Sequence, residues 1–403
     1  MEQIVIIGGG ASGMAAAIKA AEDPSVHVTL LERQARVGRK LLSTGNGRCN
    51  LTNTLAAPSH YHGEQPRFCE GVLSRFPVPD TLAWFRGLGL LTVEEYGGRV
   101  YPMSQQANSV VDVLRSALEQ RGVTVVTGAS VEQICADKGG FRILSGDGER
   151  RCQKLIVACG GCAGAKLGGV MDGYRLLQSL GHSRTPLHPA LTQVRTDPAY
   201  PRALKGIRAE AAVAVCRGEQ ILEQRRGELL FTETGVSGTV IFELSRTVAL
   251  GGEGLHIQAD FFPEQGEEEL LTYLSGKRSI TPGLSANQIL MGTVHNRLGQ
   301  MLCKYAHIGG DRTVETLAPE ELRALACACK RFRLPVTGVS GFESAQVTAG
   351  GIRTSEFDPR TLESRLVPGL FACGEVLDVD GDCGGFNLQW AWSSGYVAGR
   401  LGR

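Results

Sequence analysis

Short apolar runs and helical stripes alternate at both ends of the chain. Residues 4–7 are uniformly apolar, and residues 26–31 form a second largely apolar run. Runs of this length beside glycine mark strands buried on both faces. Between them, residues 14–21 are almost all small and apolar, which predicts a tightly packed helix. An amphipathic helix is predicted over 109–121, followed by a parallel strand over 124–128. Residues 141–145 and 154–158 continue as strands, and 173–180 as a helix ending at Gly181. Near the C-terminus, residues 366–375 read as a strand ending in Gly374-Glu375, and 387–399 as a helix. This alternation predicts an α/β fold with a Rossmann-like parallel sheet.

The rhythm changes near residues 186–189. Segments 190–195, 209–216, 220–224, 228–231, 239–243 and 255–260 are short strand candidates separated by glycine turns. Strands without intervening helices suggest an antiparallel barrel or sandwich. Residues 264–274, 286–305 and 319–332 then read as helices, the last opened by Ala318-Pro319-Glu320-Glu321. The first pattern returns near Thr348-Ala349-Gly350-Gly351-Ile352. The expected organisation is a discontinuous nucleotide-binding domain (1–188 plus 345–403), an inserted antiparallel β domain (189–262) and a small helical domain (263–344). A length of 403 residues suits two or three domains.

The first strand runs into Gly8-Gly9-Gly10-Ala11-Ser12-Gly13, and the second ends in Glu32, 19 residues after Gly13. In this setting Gly8 permits the tight turn, Gly10 lets backbone approach a pyrophosphate, and Gly13 lets helix pack on strand. The free N–H groups of Ala11, Ser12 and Gly13 and the positive end of the helix favour a diphosphate. Glu32, with Arg33 beside it, stands where a carboxylate would bind an adenosine ribose. The segment after Arg33 separates FAD from a nicotinamide. Arg39 and Lys40 precede a glycine- and amide-rich stretch containing Asn46, Gly47, Arg48, Cys49 and Asn50. An extended flavin cofactor needs such backbone cover, and the basic residues suit its diphosphate. The N-terminus of the helix near Gly385, with N–H groups of Asn387, Leu388 and Gln389, would stabilise negative charge on a reduced flavin.

Taken together, GRKLLSTGNGRCNLTN, GGRVYPMSQQANSVVDVL, GELLFTETGVSG, TAGGI and GEVLDVDGDCGGFNLQWAWSSGYVAG resemble the aminoacetone-oxidase-like, BaiN/RdsA-type family of FAD-binding oxidoreductases. The Gly374-Glu375 strand end and the Gly-Gly-x-Asn-Leu helix start are similar to the C-terminal FAD segment of glutathione-reductase-like flavoproteins, fumarate reductases included. The resemblance implies a backbone contact to adenine at Val131. It also implies a cofactor-facing segment at Ala158, Gly160 and Gly161. It leaves the activity open. The leading expectation is reduction of an activated C=C bond, as in a 3-oxo-Δ4,6 bile-acid-like enone, with transient NAD(P)H as electron source. The alternatives are oxidation of a small amine such as aminoacetone by O2, and a flavin-containing accessory protein.

Charge and composition narrow the partners. A net charge of +1 and 6% aromatics argue for a small-molecule substrate over nucleic acid. No apolar run reaches membrane-spanning length, so neither a membrane partner nor an export signal is expected, and the protein is placed in the cytoplasm. The 12 cysteines are read as reduced thiols. Cys159 and Cys162 have C-x-x-C spacing, and are read as small thiols in the cofactor-facing segment, a redox pair being the alternative. No metal spacing is found. Candidates for catalysis are Arg48, Cys49 and Asn50 on the glycine-rich stretch, Tyr101, and His188 before the insertion.

Overall fold

The computed structural model describes residues 1–403 and forms two compact units, Met1–His188 with Gln346–Arg403, and Pro189–Ala345. In the first unit, five parallel strands run in the order Leu370–Ala372, Lys154–Val157, Glu2–Ile7, Val26–Glu32 and Thr124–Thr127. Ile4, Ile6, Leu155, Ile156 and Phe371 are fully buried, as strands covered on both faces require. This is the Rossmann-like α/β core that the alternation predicts. The order places two strands from opposite ends of the chain, Glu2–Ile7 and Leu370–Ala372, on either side of Lys154–Val157.

Two helices then meet backbone to backbone. Helix Ala11–Ala20 is mostly small residues, and the C-terminal helix Phe386–Ala398 crosses it at glycine. A Cβ at Gly395 would overlap the Ser12 carbonyl, and one at Gly399 would lie 2.6 Å from the Ala16 carbonyl oxygen. Helix Ala107–Gln120 packs through Val110, Val111, Leu114, Ala117 and Leu118, a stripe at helical spacing.

The strand expected over 141–145 is present, in a sheet of its own. Val131–Asp137, Gly140–Ser145 and Gly148–Cys152 form a separate antiparallel sheet. Residues 141–145 alternate buried and exposed, the period of a one-sided sheet, and two-residue connections fix hairpins on both sides.

In the second unit, six strands close into a barrel in the order Val194–Thr196, Gly235–Ser237, Gln220–Phe231, Arg208–Arg217, Leu255–Asp260 and Phe332–Val339. Several elements differ from expectation. Segments 220–224 and 228–231 are one strand, because Gly227 pairs with Ala211 instead of turning. Residues 239–243 open a helix, Thr239–Gly251, whose buried Val240, Ile241, Leu244 and Val248 recur at helical spacing. The β-branched start masks that longer period. Residues 286–305 are not one helix: a short turn Ala286–Gln288 precedes helix Asn296–Tyr305, with Gly292 at φ +77° between them. The predicted helix 319–332 ends at Lys330, and Phe332–Val339, with Pro335 inside it, is a strand instead. Barrel and helices share one core, including Val213, Phe231, Ile257, Leu274, Leu302, Leu325 and Phe332. The segments 189–262 and 263–344 therefore do not have separate hydrophobic cores.

The glycine crossing is open to test. Gly395→Val should force the two helices of the first unit apart and destabilise the protein by about 1–3 kcal/mol, as overpacking does. Denaturant unfolding of the cofactor-loaded protein measures it; an unchanged midpoint would mean that the helices have room to spare.

Candidate functional site

The turn after the first strand is built for close approach. Gly8 has φ +109°, and a Cβ there would overlap the Ala158 carbonyl; one on Gly13 would overlap the Gly8 carbonyl. A Cβ on Gly10, by contrast, would meet nothing within 4 Å. Gly10 caps helix Ala11–Ala20 without a side-chain hydrogen bond, so the first-turn N–H groups of Ala11, Ser12 and Gly13 face that open side. Glu32 is held beside the turn: Gly9 N–H donates to its Oε2 at 2.8 Å and Gln34 N–H to its Oε1 at 2.7 Å. Val131 is buried at the start of its strand, and Ala129 N–H donates to the Glu32 carbonyl at 3.0 Å.

The basic residues are largely engaged with protein partners. Arg33 reaches the Gly168 carbonyl at 3.4 Å, and Arg39 donates to Gln34 at 2.7 Å. Lys40 pairs with Glu375 at 2.9 Å, and Thr348 N–H donates to the other Glu375 oxygen at 2.8 Å. A Cβ on Gly161 would lie 2.8 Å from Glu375 Oε1, and one on Gly160 4.0 Å from Oε2. Glu375, Lys40, Gly160 and Gly161 thus form one cluster drawn from three distant segments.

The glycine-rich stretch winds through left-handed backbone at Gly45, Asn46, Gly47 and Cys49. Asn46 and Gly47 are exposed, whereas Cys49 is fully buried and its thiol is pushed up to about 12 by burial. Cys49 is therefore a packed neutral thiol, unsuited to proton transfer near neutral pH. Arg48 lies over the Tyr101 ring at 4.0 Å and donates to Glu95 at 3.1 Å and Gln105 at 3.1 Å. Its charge faces Glu95, away from the role expected at a diphosphate. A Cβ on Gly45 would lie 2.7 Å from Asn50 N and 3.3 Å from the Tyr101 ring. Asn50, Tyr101 and the stretch are thereby brought together. His188 forms no hydrogen bond with any of these residues.

The C-terminal helix ties the halves together. Trp392 Nε1–H donates to the Leu51 carbonyl at 2.8 Å, Trp390 Nε1–H to the Gly374 carbonyl at 3.1 Å, and Gly374 N–H to Ser394 Oγ at 2.9 Å. The helix is capped by Gly385 at φ +104°, not by Asn387. The Asn387 side chain bridges Gly381, accepting from its N–H at 2.8 Å and donating to its carbonyl at 2.7 Å. Gln389 corrects one expectation. Its N–H is spent on the Gly385 carbonyl at 3.0 Å, and its fully buried side chain binds Thr52, Thr81 and Ser393. Asn387 and Leu388 keep the first-turn N–H positions. Asn50 Oδ1 is buried without a partner, 2.9 Å from where a Gly385 Cβ would stand.

These contacts can be matched to a cofactor. A buried acceptor without a donor is costly, and the pyrimidine part of a flavin carries an N–H. The open side of Gly10, the anchored Glu32 and the Glu375 cluster are of the kind that would take a diphosphate, a ribose hydroxyl pair and a ribityl chain. The residues fit FAD. They supply no second dinucleotide turn.

Sequence reasoning missed one cluster beside this helix start. His60 Nδ1 lies 2.9 Å from Asp382 Oδ2, and His62 Nε2 lies 2.7 Å from Asp382 Oδ1. His60 also stacks on Phe386 at 4.3 Å. Burial opposes ionisation of Asp382, but hydrogen bonds from His62 and His60 outweigh it and hold the carboxyl below its ordinary range. The only available signal was the pairing of two histidines two positions apart with an aspartate 320 positions after the second, which no local pattern reveals.

The cysteines are quiet. Cys159 is pushed up to about 12 by burial, and burial also raises Cys162, whose Sγ lies 3.7 Å from Thr348 Oγ1.

A family model described as HI0933-like protein Rossmann domain matches residues 2–401. The chain is 41% identical over 405 residues to a 3-dehydro-bile acid delta(4,6)-reductase of Clostridium scindens, covering 99% of this chain and 98% of that protein. It is 30% identical over 393 residues to a ribosomal RNA dihydrouridine synthase of Escherichia coli, covering 98% and 96%. A solved 3-ketosteroid delta1-dehydrogenase from Sterolibacterium denitrificans is similar in fold alone, with TM-score 0.51 and 12% identity over 99% of each chain.

Two outcomes are expected. Glu32→Ala should weaken FAD binding by about 1–3 kcal/mol, through lost charge-assisted bonds, while FMN fails to replace FAD in the parent protein. Flavin fluorescence titration measures both, and an unchanged FAD affinity would remove Glu32 from the site. Replacing Cys159 and Cys162 together by Ala should leave turnover within a few-fold. A wild type that takes up four electrons from dithionite, falling to two in the double variant, would instead make the pair a redox centre.

Proposed function

We propose that this chain, which belongs to the HI0933-like Rossmann family of flavoproteins, reduces a C=C bond conjugated to a carbonyl, with a 3-oxo steroid-like enone as substrate and NAD(P)H as electron donor. As a family member it is an FAD-dependent oxidoreductase. The observation that carries the substrate reading is 41% identity, end to end, with a relative whose name specifies reduction of a 3-dehydro, delta(4,6) bile acid. The second relative supports the same chemistry by another route. Making dihydrouridine saturates a ring double bond that is also conjugated to a carbonyl.

When bound, FAD supplies the hydride. The chain's own residues bind and orient. Ala11, Ser12 and Gly13 N–H groups would hold the diphosphate, Glu32 the ribose, and Glu375, fixed by Lys40 and Thr348, the ribityl chain. Asn387 and Leu388 N–H groups would stabilise negative charge on the pyrimidine part of the flavin, and Asn50 Oδ1, buried without a partner, would accept its N–H. The absence of a second dinucleotide turn favours a nicotinamide that binds transiently. An RNA uracil is the second reading, favoured by the 30% relative; a net charge of +1 does not exclude it. No helix is long and apolar enough to cross a membrane.

Anaerobic titration with NADH and then NADPH should bleach the flavin, and a 3-oxo-4,6-diene steroid should restore its colour and gain two hydrogens. Peroxide formed from aminoacetone and O2, with no response to the dienone, would replace this reading by an amine oxidase. Dihydrouridine formed in ribosomal RNA without dienone reduction would replace it by the second.

A further inference from the structure

We propose that His60 is the proton donor of the reaction, with Asp382 and His62 as the residues that position it. This rests on the enone-reductase reading above. Three independent restraints act on the His60 ring and its backbone. Asp382 fixes the ring edge through Nδ1 at 2.9 Å, Phe386 fixes its plane by stacking at 4.3 Å and 15°, and Asp382 N–H donates to the His60 carbonyl at 3.0 Å. Asp382 is held on its other side by His62 Nε2 at 2.7 Å.

Chemistry sets the tautomers. An ionised carboxylate only accepts, so the ring nitrogens facing Asp382 carry the hydrogens. His60 is then Nδ1–H with Nε2 left over, and His62 is Nε2–H with Nδ1 left over. Nε2 lies at the tip of the ring and reaches outward, whereas Nδ1 lies beside its own backbone. His60 is therefore the ring that can present a proton, and His62 the one that steadies the carboxylate. The His60 side chain is 33% exposed, which lets water reload it. A carboxylate behind an imidazole fixes the tautomer and stabilises the imidazolium, the arrangement familiar from hydrolase triads.

Position makes the pair relevant. Phe386 is the first residue of the helix whose N-terminus would face the flavin, and Gly385 before it lies against Asn50 and Thr52. Asp382 and Asn387 are joined through the Asp382 carbonyl at 3.2 Å. The proton donor thus stands at the same end of the helix as the pyrimidine-edge groups.

Atoms and electrons balance in the step. Hydride from the reduced flavin forms the new C–H bond at the β-carbon and leaves an enolate on the substrate. With a proton taken up from water on Nε2, His60 is an imidazolium; the α-carbon takes that proton, a C–H bond forming as the Nε2–H bond breaks and leaving the neutral Nδ1–H imidazole. Water returns the proton to the imidazole, and NAD(P)H restores the flavin.

The test uses FAD-loaded enzyme. The wild type should show a low-field Nδ1–H proton resonance that Asp382→Asn abolishes, a readout that needs no turnover. His60→Ala should lower kcat with the dienone by about 10²–10⁴-fold, the range of a lost general acid, with KM little changed. Free imidazole should restore part of it, which a packing defect would not allow. Flavin bleaching by NAD(P)H should be unaffected. His60→Gln serves as the second variant should the alanine form lose FAD. Absence of the low-field resonance, or His60 variants with kcat within a few-fold of wild type, would overturn the assignment while leaving the enone reading intact. A wild type that reduces no enone, yet bleaches with NAD(P)H, would overturn the reading itself.

Discussion

The site depends on one steric constraint: two helices whose backbones touch. Ala11–Ala20 and Phe386–Ala398 lie far apart in sequence, yet Gly395 meets Ser12 and Gly399 meets Ala16 where any side chain would intervene. Because the crossing is this tight, the pyrophosphate turn at the start of one helix and the pyrimidine-edge groups at the start of the other are held in one rigid frame. The two indoles extend the frame. Trp390 fastens Gly374, and Trp392 fastens the stretch ending at Leu51. Close helix packing and indole hydrogen bonds thus fix the spacing between the two helix starts before any ligand binds.

Electrostatics in the first unit follow a consistent division. Burial raises the thiols of Cys49, Cys159 and Cys373, all pushed up to about 12, which disfavours their thiolate forms near neutral pH. Groups that remain ionic are paired: Lys40 with Glu375, Arg48 with Glu95, and Asp382 with its two histidines. The result is a site whose polarity comes from oriented N–H groups and clamped carboxylates. Such a site suits stabilising charge that develops during hydride transfer without a mobile countercharge.

Two relatives of different named substrates match this chain along almost their whole lengths. A bile acid and a ribosomal uridine differ greatly in size and charge. Overall similarity along the chain therefore does not by itself single out a substrate, which a fold leaves to its site.

The sequence alone determined the parallel-sheet core and the glycine turn that follows its first strand. These rest on local signals: Gly8 and Gly13 need glycine for steric reasons visible in the motif, and Ile4–Ile7 and Leu155–Val157 are apolar because strands covered on both faces must be. Local signals failed where a longer context ruled. Thr239–Gly251 begins with strand-forming residues but packs at helical period, and Gly227 pairs within a strand instead of turning. Only the tertiary structure decided how charges were used. Arg48 looked like a phosphate ligand, but Glu95, distant in sequence, claims it; Gln389 looked free, but Thr52, Thr81 and Ser393 surround it. His60, His62 and Asp382 carry no motif at all. Their meeting is a product of the antiparallel pairing of Tyr61–His62 with Asp380–Gly381, which brings His62 to an aspartate 320 residues away, and pairing over such distances leaves no periodicity to read in either segment.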